Sequence, residues 1–259
     1  MLSVIGFNLL LVLGLLSLLW GLSVVIKDAS IVDPFWGTGF VVVAIATWLA
    51  KESHHWRDHM IVAMVLLWGT RLSVYLLWRN IGKGEDRRYQ AMRARIGPNF
   101  WWISLFSVFF LQGVLLWLIS MPVQAGLWSQ PLFSALSVFD VAGLAFYAVG
   151  LFFEAVGDAQ LARFKSDPAN KGRVMNRGLW RYTRHPNYFG DFAVWWGIYL
   201  VAVAGGAWWT FFGPAIISFF LLRVSGVTLL ERDIADRRPE YRTYQESTSS
   251  FFPWFPRST

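Results

Sequence analysis

The chain contains no cysteine among its 259 residues, and only 15% of them are charged. The first absence excludes disulfides, thiolate nucleophiles and cysteine-ligated zinc. The second separates the chain from water-soluble domains, in which about a quarter of residues are charged. Histidine is scarce as well. Three of the four lie in the hydrophilic patch His54, His55 and His59, leaving His185 alone near the other polar clusters, so no metal site is expected. A Walker phosphate loop, a GxGxxG turn after a strand and an HExxH helix are all missing. A dinucleotide, if bound, would therefore rest on helix ends and loops rather than on a Rossmann unit. Neither a soluble domain nor a repeat nor a low-complexity linker is visible.

Apolar and aromatic residues are abundant: 56% of the chain is hydrophobic, with 16 tryptophans and 22 phenylalanines. They fall in long runs rather than periodic stripes, so the solvent for most of the chain is lipid. Seven runs approach the roughly 20 helical residues that cross a bilayer: 2–26, 35–50, 59–78, 100–121, 138–153, 188–204 and 209–230. The expected fold is all-α and integral to the membrane, a single membrane domain over 1–259 with seven transmembrane helices. The first run exceeds a signal-peptide core and has no basic segment before it, which reads as a retained anchor.

The charges then set the orientation. One side of a seven-span chain receives 27–34, 79–99, 154–187 and the tail from 231, with 19 lysines and arginines; the other receives two, Lys51 and Arg57. The positive-inside rule puts the rich side and the C-terminus in the cytoplasm and the N-terminus outside. Confinement of the +7 net charge to loops between apolar runs argues for a membrane signal and against nucleic acid as a partner. Trp101, Trp102, Trp128, Trp208 and Trp209 fall near run ends, where interfacial aromatic belts form.

Ionisable groups in or beside a bilayer usually face a partner or a polar cavity. Four clusters stand out on the basic side. In Asp33-Pro34-Phe35-Trp36-Gly37 the aspartate suits a helix start, which would account for it without chemistry. Arg71 and Tyr75 share a helix face above Trp78-Arg79-Asn80 and Glu85-Asp86-Arg87-Arg88-Tyr89. Glu154, Asp158 and Lys165 also share a face, and two carboxylates four residues apart need partners. The densest cluster is Asn176-Arg177-Gly178-Leu179-Trp180-Arg181-Tyr182-Thr183-Arg184-His185-Pro186-Asn187-Tyr188-Phe189-Gly190-Asp191. Its arginine forks before a helix N-terminus suit a phosphate group, and a lipid-headgroup anchor is the alternative. Arg237, Tyr241 and neighbours repeat the theme in the tail, where they could close a cofactor site or form an amphipathic surface helix.

The fourth cluster resembles the C-terminal region of the steroid 5-alpha-reductase family in its bacterial branch. The 154–165 helix and the tail 231–253 extend the resemblance over roughly the last 110 residues, and Arg79-Asn80 with Glu85–Tyr89 looks like the same branch upstream. The Arg-His-Pro-x-Tyr-x-Gly element is shared with membrane methyltransferases such as isoprenylcysteine carboxyl methyltransferase, so alone it marks a superfamily. The resemblance implies seven helices, NADPH entering from the cytoplasm and a lipid substrate from the bilayer, with 1–99 on the substrate side and 138–259 as the cofactor region. It implies that Asp158, Lys165 and Arg173 hold the adenosine and phosphates, that Asn187 and Asp191 lie near pyrophosphate and nicotinamide, and that Asn80 faces the nicotinamide. Glu154, Arg181, Arg184, His185, Tyr188, Arg237 and Tyr241 complete the expected cofactor set. The family polarises a substrate carbonyl with a glutamate in the second span and a tyrosine in the third. Asp33 falls near the first, whereas the tyrosine position falls near Trp68 or Gly69, with Tyr75 the nearest tyrosine on that helix.

The expected reaction is hydride transfer from NADPH to the beta carbon of a lipid-like enone, such as a 3-oxo-4-ene steroid, saturating its 4,5 double bond. Negative charge develops on the carbonyl oxygen, so a pre-aimed donor is required. A desolvated, neutral carboxylic acid or a tyrosine can serve, making Asp33 and Tyr75 the catalytic candidates. Two other classes remain open: a membrane methyltransferase using S-adenosylmethionine, and a non-enzymatic seven-span receptor or transporter.

Overall fold

A computed structural model describes residues 1–130, 132–224, 227, 231, 234 and 240–257. Among them there is no strand. The helices are α1 (Leu2–Ile26), α2 (Val32–Leu49), α3 (Trp56–Asn80), α4 (Arg87–Ile119), α5 (Met121–Trp128), α6 (Val138–Ser166), α7 (Pro186–Ala204), α8 (Trp208–Val224) and α9 (Glu240–Ser247). Five segments are long and apolar enough to cross a membrane: α1, α2 with the short turn before it (Ala29–Leu49), α3, α4 and α6. That is the architecture of a multi-pass membrane protein. Residues 225, 226 and 228–230, the end of the seventh apolar run, lie outside the described residues.

The chain divides into two compact units, one of residues 1–134 and 202–210, the other of 135–201 and 211–259. In the first, α2 and α3 pack back to back where Gly37 and Gly69 each face the other's carbonyl; a β-carbon on Gly69 would lie 2.7 Å from the Gly37 oxygen. Only glycine permits that approach, the device by which membrane helices gain van der Waals contact without a hydrophobic driving force. The boundaries of α3 are chemical. His55 accepts from the Arg57 N–H and Asp58 returns to the His55 N–H at 2.8 Å, closing a capping box. The stretch 122–137, read from sequence as an exterior loop, contains α5, with Met121 through Leu127 all buried. There Gln124 Oε1 accepts from Asn8 Nδ2 at 2.9 Å, and the same nitrogen donates to Thr47 Oγ1 at 2.8 Å. Fully buried amides need such partners. α4 carries a π-helical stretch at Leu105–Phe110.

In the second unit α6 opens with a capping box, Ser137 with Asp140, and runs well past its apolar stretch to Ser166. It packs against α7 along glycines spaced by seven. β-Carbons on Gly143 and Gly197 would fall 2.8 and 2.7 Å from each other's carbonyl oxygen, and those on Gly150 and Gly190 would each fall 2.6 Å from the opposite one. Further along, Gly157 faces Pro186. The seam carries α6 directly onto the start of the densest polar cluster.

Candidate functional site

The second unit gathers most of the sequence-predicted cofactor residues around the turn 178–191. Gly178, at φ +60°, leads the short helix Gly178–Arg181 close over Gln160, whose Oε1 accepts the Leu179 N–H at 3.0 Å. Trp180 Nε1 donates to the Gly157 carbonyl at 3.0 Å, so the turn is clamped to α6. Asn187 Nδ2 then donates to Asp158 Oδ1 at 3.2 Å, uniting two predicted residues from opposite sides of the seam. Glu154 and Asp158 are both buried, and the Glu154 backbone and β-carbon lie against Gly190.

Arg184 and His185 face inward. Arg184 Nε and Nη2 donate to the two oxygens of Glu231 at 2.7 and 2.9 Å, while Nη1 donates to the carbonyls of Gln245 and Thr248 at 2.9 and 2.6 Å. His185 Nε2 lies 2.8 Å from Glu231 Oε1, and because a carboxylate only accepts, that nitrogen carries the proton. Tyr241 OH and Gln245 Nε2 add bonds to Glu231 at 3.3 and 3.2 Å. Burial pushes the Glu231 carboxyl up, but hydrogen bonds from His185 and Arg184 and the Arg184 charge outweigh it and hold it at about 2. Burial and then the Glu231 charge raise the Tyr241 phenol well above its usual range. Tyr188 stacks on His185, with ring centroids 5.6 Å apart. Arg184, His185 and Tyr241 are thus joined by a hub, Glu231, that sequence reasoning did not place in the site.

Beside this hub opens a cavity of about 760 Å³. Arg173, Arg177 and Arg181 line it with Asn170 and Asn176, and α9 and the tail supply Glu240, Thr243, Ser247, Thr248 and Pro256. Arg173 and Arg181 were expected in the cofactor set; Arg177 was read as one arginine of the same phosphate-suited cluster without being assigned to that set. Lys165 sits in the last turn of α6, and Asp191 in the second turn of α7. Arg237 lies outside the described residues.

The first unit holds the expected catalytic pair, with a different tyrosine on Asp33. Arg88 Nη2 donates to Asp33 Oδ2 and Tyr89 OH donates to Asp33 Oδ1, both at 2.7 Å. Gln112 Nε2 reaches the Tyr89 oxygen at 3.3 Å, and Arg88 Nε also bonds Asp86, the residue capping α4. Asp33 therefore accepts at both oxygens. The tyrosine at its carboxyl group is Tyr89 rather than Tyr75, and the one hydrogen of that phenol goes to Asp33 Oδ1. The signal was present in Glu85–Tyr89, but nothing local shows that this stretch folds back onto the start of α2. Two bonds bring it there: Ala29 N–H to Glu85 Oε1 at 2.9 Å and Asp86 N–H to Ser30 Oγ at 3.2 Å. Burial would raise the Glu85 carboxyl, but the bonds from Arg93 and Ala29 hold it below its ordinary value. Tyr75 lies on α3 beneath two guanidinium groups, Arg71 at 5.3 Å and Arg79 at 5.9 Å from its ring centre. Asn80 Oδ1 accepts from Arg79 Nε at 3.3 Å.

Comparison with known proteins brings the chain to a family. An uncharacterised protein of the fission yeast Schizosaccharomyces pombe is 28% identical over 281 residues, covering 96% of this chain and 79% of that protein. A probable O-methyltransferase of Ustilaginoidea virens is 37% identical over 79 residues, which is 30% of this chain and 26% of that protein. No solved structure matches. Residues 19–248 match the family described as protein of unknown function DUF1295, and the chain belongs to that family.

Proposed function

We propose that this protein is an NADPH-dependent reductase of a lipid-like enone, with a 3-oxo-4-ene steroid as the model substrate. In this reading it has seven spans, its N-terminus outside and its cofactor site in the cytoplasm. The observation that carries the reading is the arginine-lined cavity of the second unit. Its volume of about 760 Å³ falls in the range of small-molecule sites. Three guanidinium groups with the Asn176 amide form a donor set for several phosphate oxygens, which a dinucleotide with an extra phosphate presents, while the Asn170 amide is bonded to the Phe164 carbonyl and Asp167. NADPH would be held there by Arg173, Arg177 and Arg181, and when bound would supply a hydride to the electron-poor carbon. Asp158 and Asn187 orient the turn beside it, and the Glu231 hub fixes its far wall. In the first unit, the Tyr89 phenol would turn its one hydrogen from Asp33 to the substrate carbonyl as charge develops there. Asp33 and Arg88 hold the phenol in place, so in this role Asp33 positions the donor.

A second reading, an S-adenosylmethionine-dependent methyltransferase acting on a lipid, is favoured by the 79-residue match to a probable O-methyltransferase. Titration of the purified protein with each cofactor separates the two. Saturable binding of NADPH, with its consumption in the presence of a 3-oxo-4-ene steroid, supports the reductase. Binding of S-adenosylmethionine with indifference to NADPH overturns it.

A further inference from the structure

Residues 249–257 are held in place by hydrogen bonds of their backbone yet display their largest apolar side chains. Ser249 and Phe251 carbonyls accept from the Arg184 N–H at 2.9 Å and Thr183 Oγ1 at 2.8 Å. The Trp254 N–H donates to the Tyr182 carbonyl and the Arg257 N–H to that of Ser247, each at 2.9 Å. A tail fixed at four points would ordinarily turn its aromatic rings inward. Here Phe252, Trp254 and Phe255 are 57%, 72% and 76% exposed. Phe255 stands edge-on to Tyr182 at 6.1 Å and to Trp254 at 6.5 Å, an aromatic pad that Phe252 adjoins two residues earlier along the chain.

The level of the pad is set by α6. Phe153 is the last apolar residue of its run before Glu154, and it packs edge-on against Phe189 at 5.0 Å. Phe189 and Phe192 in turn contact Phe252 at 6.2 and 5.6 Å. The pad therefore lies where a helix long and apolar enough to cross a membrane changes from apolar to charged. Arg257, exposed, lies two residues beyond Phe255 in the same tail. An amphipathic tyrosine and tryptophan at that level, with two phenylalanines and an arginine on the same tail as the tryptophan, match the chemistry of the headgroup–acyl boundary.

We infer that Tyr182, Phe252, Trp254 and Phe255 form an interfacial anchor that inserts into the bilayer surface, and that this insertion holds one wall of the arginine-lined cavity. The coupling is short: Thr248 and Pro256, which line the cavity, lie in the tail that carries the pad. The Ser249 and Phe251 bonds join that tail to Arg184 and Thr183. The inference rests on membrane residence and not on the identity of the cavity's ligand.

The absence of cysteine gives a clean test on the full chain. Trp254→Cys and Phe255→Cys variants, with Glu246→Cys on the exposed side of α9 as the reference, would each be labelled with one environment-sensitive fluorophore and placed in phosphatidylcholine nanodiscs. Lipids bearing a quencher near the headgroup should quench positions 254 and 255 at least about twofold more than 246, and iodide in the water should quench them less. Equal behaviour at all three positions overturns the anchor. So does shielding of 254 and 255 from lipid and water quenchers alike, which would place a second protein surface on the pad. Quenching only by lipids labelled at the bilayer centre also overturns it, because the rings would then be buried in a span. A further label at Thr243→Cys, on the cavity wall, reads the coupling. Its mobility should rise in the Trp254→Ala/Phe255→Ala background within nanodiscs, and unchanged mobility there removes the link to the cavity.

Discussion

Arg184 closes on Glu231 through two parallel bonds, Nε and Nη2 each meeting a different carboxylate oxygen at 2.7 and 2.9 Å. This fork geometry suits a guanidinium and no other side chain, and Lys would supply one point contact in its place. The pair joins the His-Pro turn that begins α7 to the helix and tail that wall the cavity.

Glu231→Gln should destabilise the protein by about 2–4 kcal/mol, since it leaves Arg184 half-buried without its counter-charge. Arg184→Lys should recover less than half of the wild-type margin. The Glu231 carboxyl is depressed from an ordinary 4.5 to about 2. A depressed acid contributes stability that is full above its unfolded value and is lost as pH falls through the folded one. Thermal unfolding in detergent should therefore show a wild-type loss between pH 4.5 and 2 that Glu231→Gln does not share.

Arg173→Ala and Arg177→Ala should each weaken NADPH binding by about 1.5–3 kcal/mol, the range of a charge-assisted hydrogen bond. The effect on NADH should be smaller at whichever arginine reads the additional phosphate. Lys165→Ala is the companion test. Equal losses for both cofactors at all three positions would show that none of them reads it.

Tyr89→Phe should lower turnover of an enone roughly 10²–10³-fold with cofactor affinity unchanged, the loss typical of one oxyanion donor. Asp33→Asn should lower it less, because an amide still accepts from the phenol. Tyr75→Phe should leave the rate within about twofold if Tyr89 is the donor. Full activity in Tyr89→Phe returns the role to Tyr75.

Gly150→Leu or Gly190→Leu should prevent stable assembly of the second unit, because a β-carbon at either already meets a backbone oxygen at 2.6 Å. A leucine at Gly14, where nothing lies within 4 Å, should be tolerated. Thermal melting of the four proteins in one detergent makes the comparison.

Reporter fusions in 129–137 and after Thr259 should report opposite sides of the membrane, following the sequence reading of 19 basic residues against two. The same side for both would remove the seven-span arrangement while leaving the five apolar helices intact.

Much of the fold was legible because lipid makes apolar length a direct signal. The run 2–26 reappears unchanged as α1, while 59–78 and 138–153 reappear in α3 and α6, the first lengthened at its start by a capping box and the second at its end by solvated helical turns. α5 was not legible: Met121–Trp128 is too short for a span, and Pro122 and Gln124 read as loop until their burial is seen. In the site, Asp158 lies with Asn187 and Arg173 with Arg181, residues expected there from the family resemblance and the arginine cluster rather than from any local pattern. Tyr89 escaped because the contact that distinguishes it from Tyr75 joins residues 56 positions apart.

The glycine seam between α6 and α7 constrains what lengths of chain this family member can carry. Because glycines recur every seven residues on both strands of the seam, sliding one helix by a whole heptad preserves part of the match, and any smaller slip does not. Inserting a single residue in α7 ahead of Gly190 would bring Phe189 against Gly150, where the space ends at the backbone. Insertions and deletions should therefore be purged from both helices far more strictly than substitutions on their outward faces, so the seam acts as a ruler for chain length.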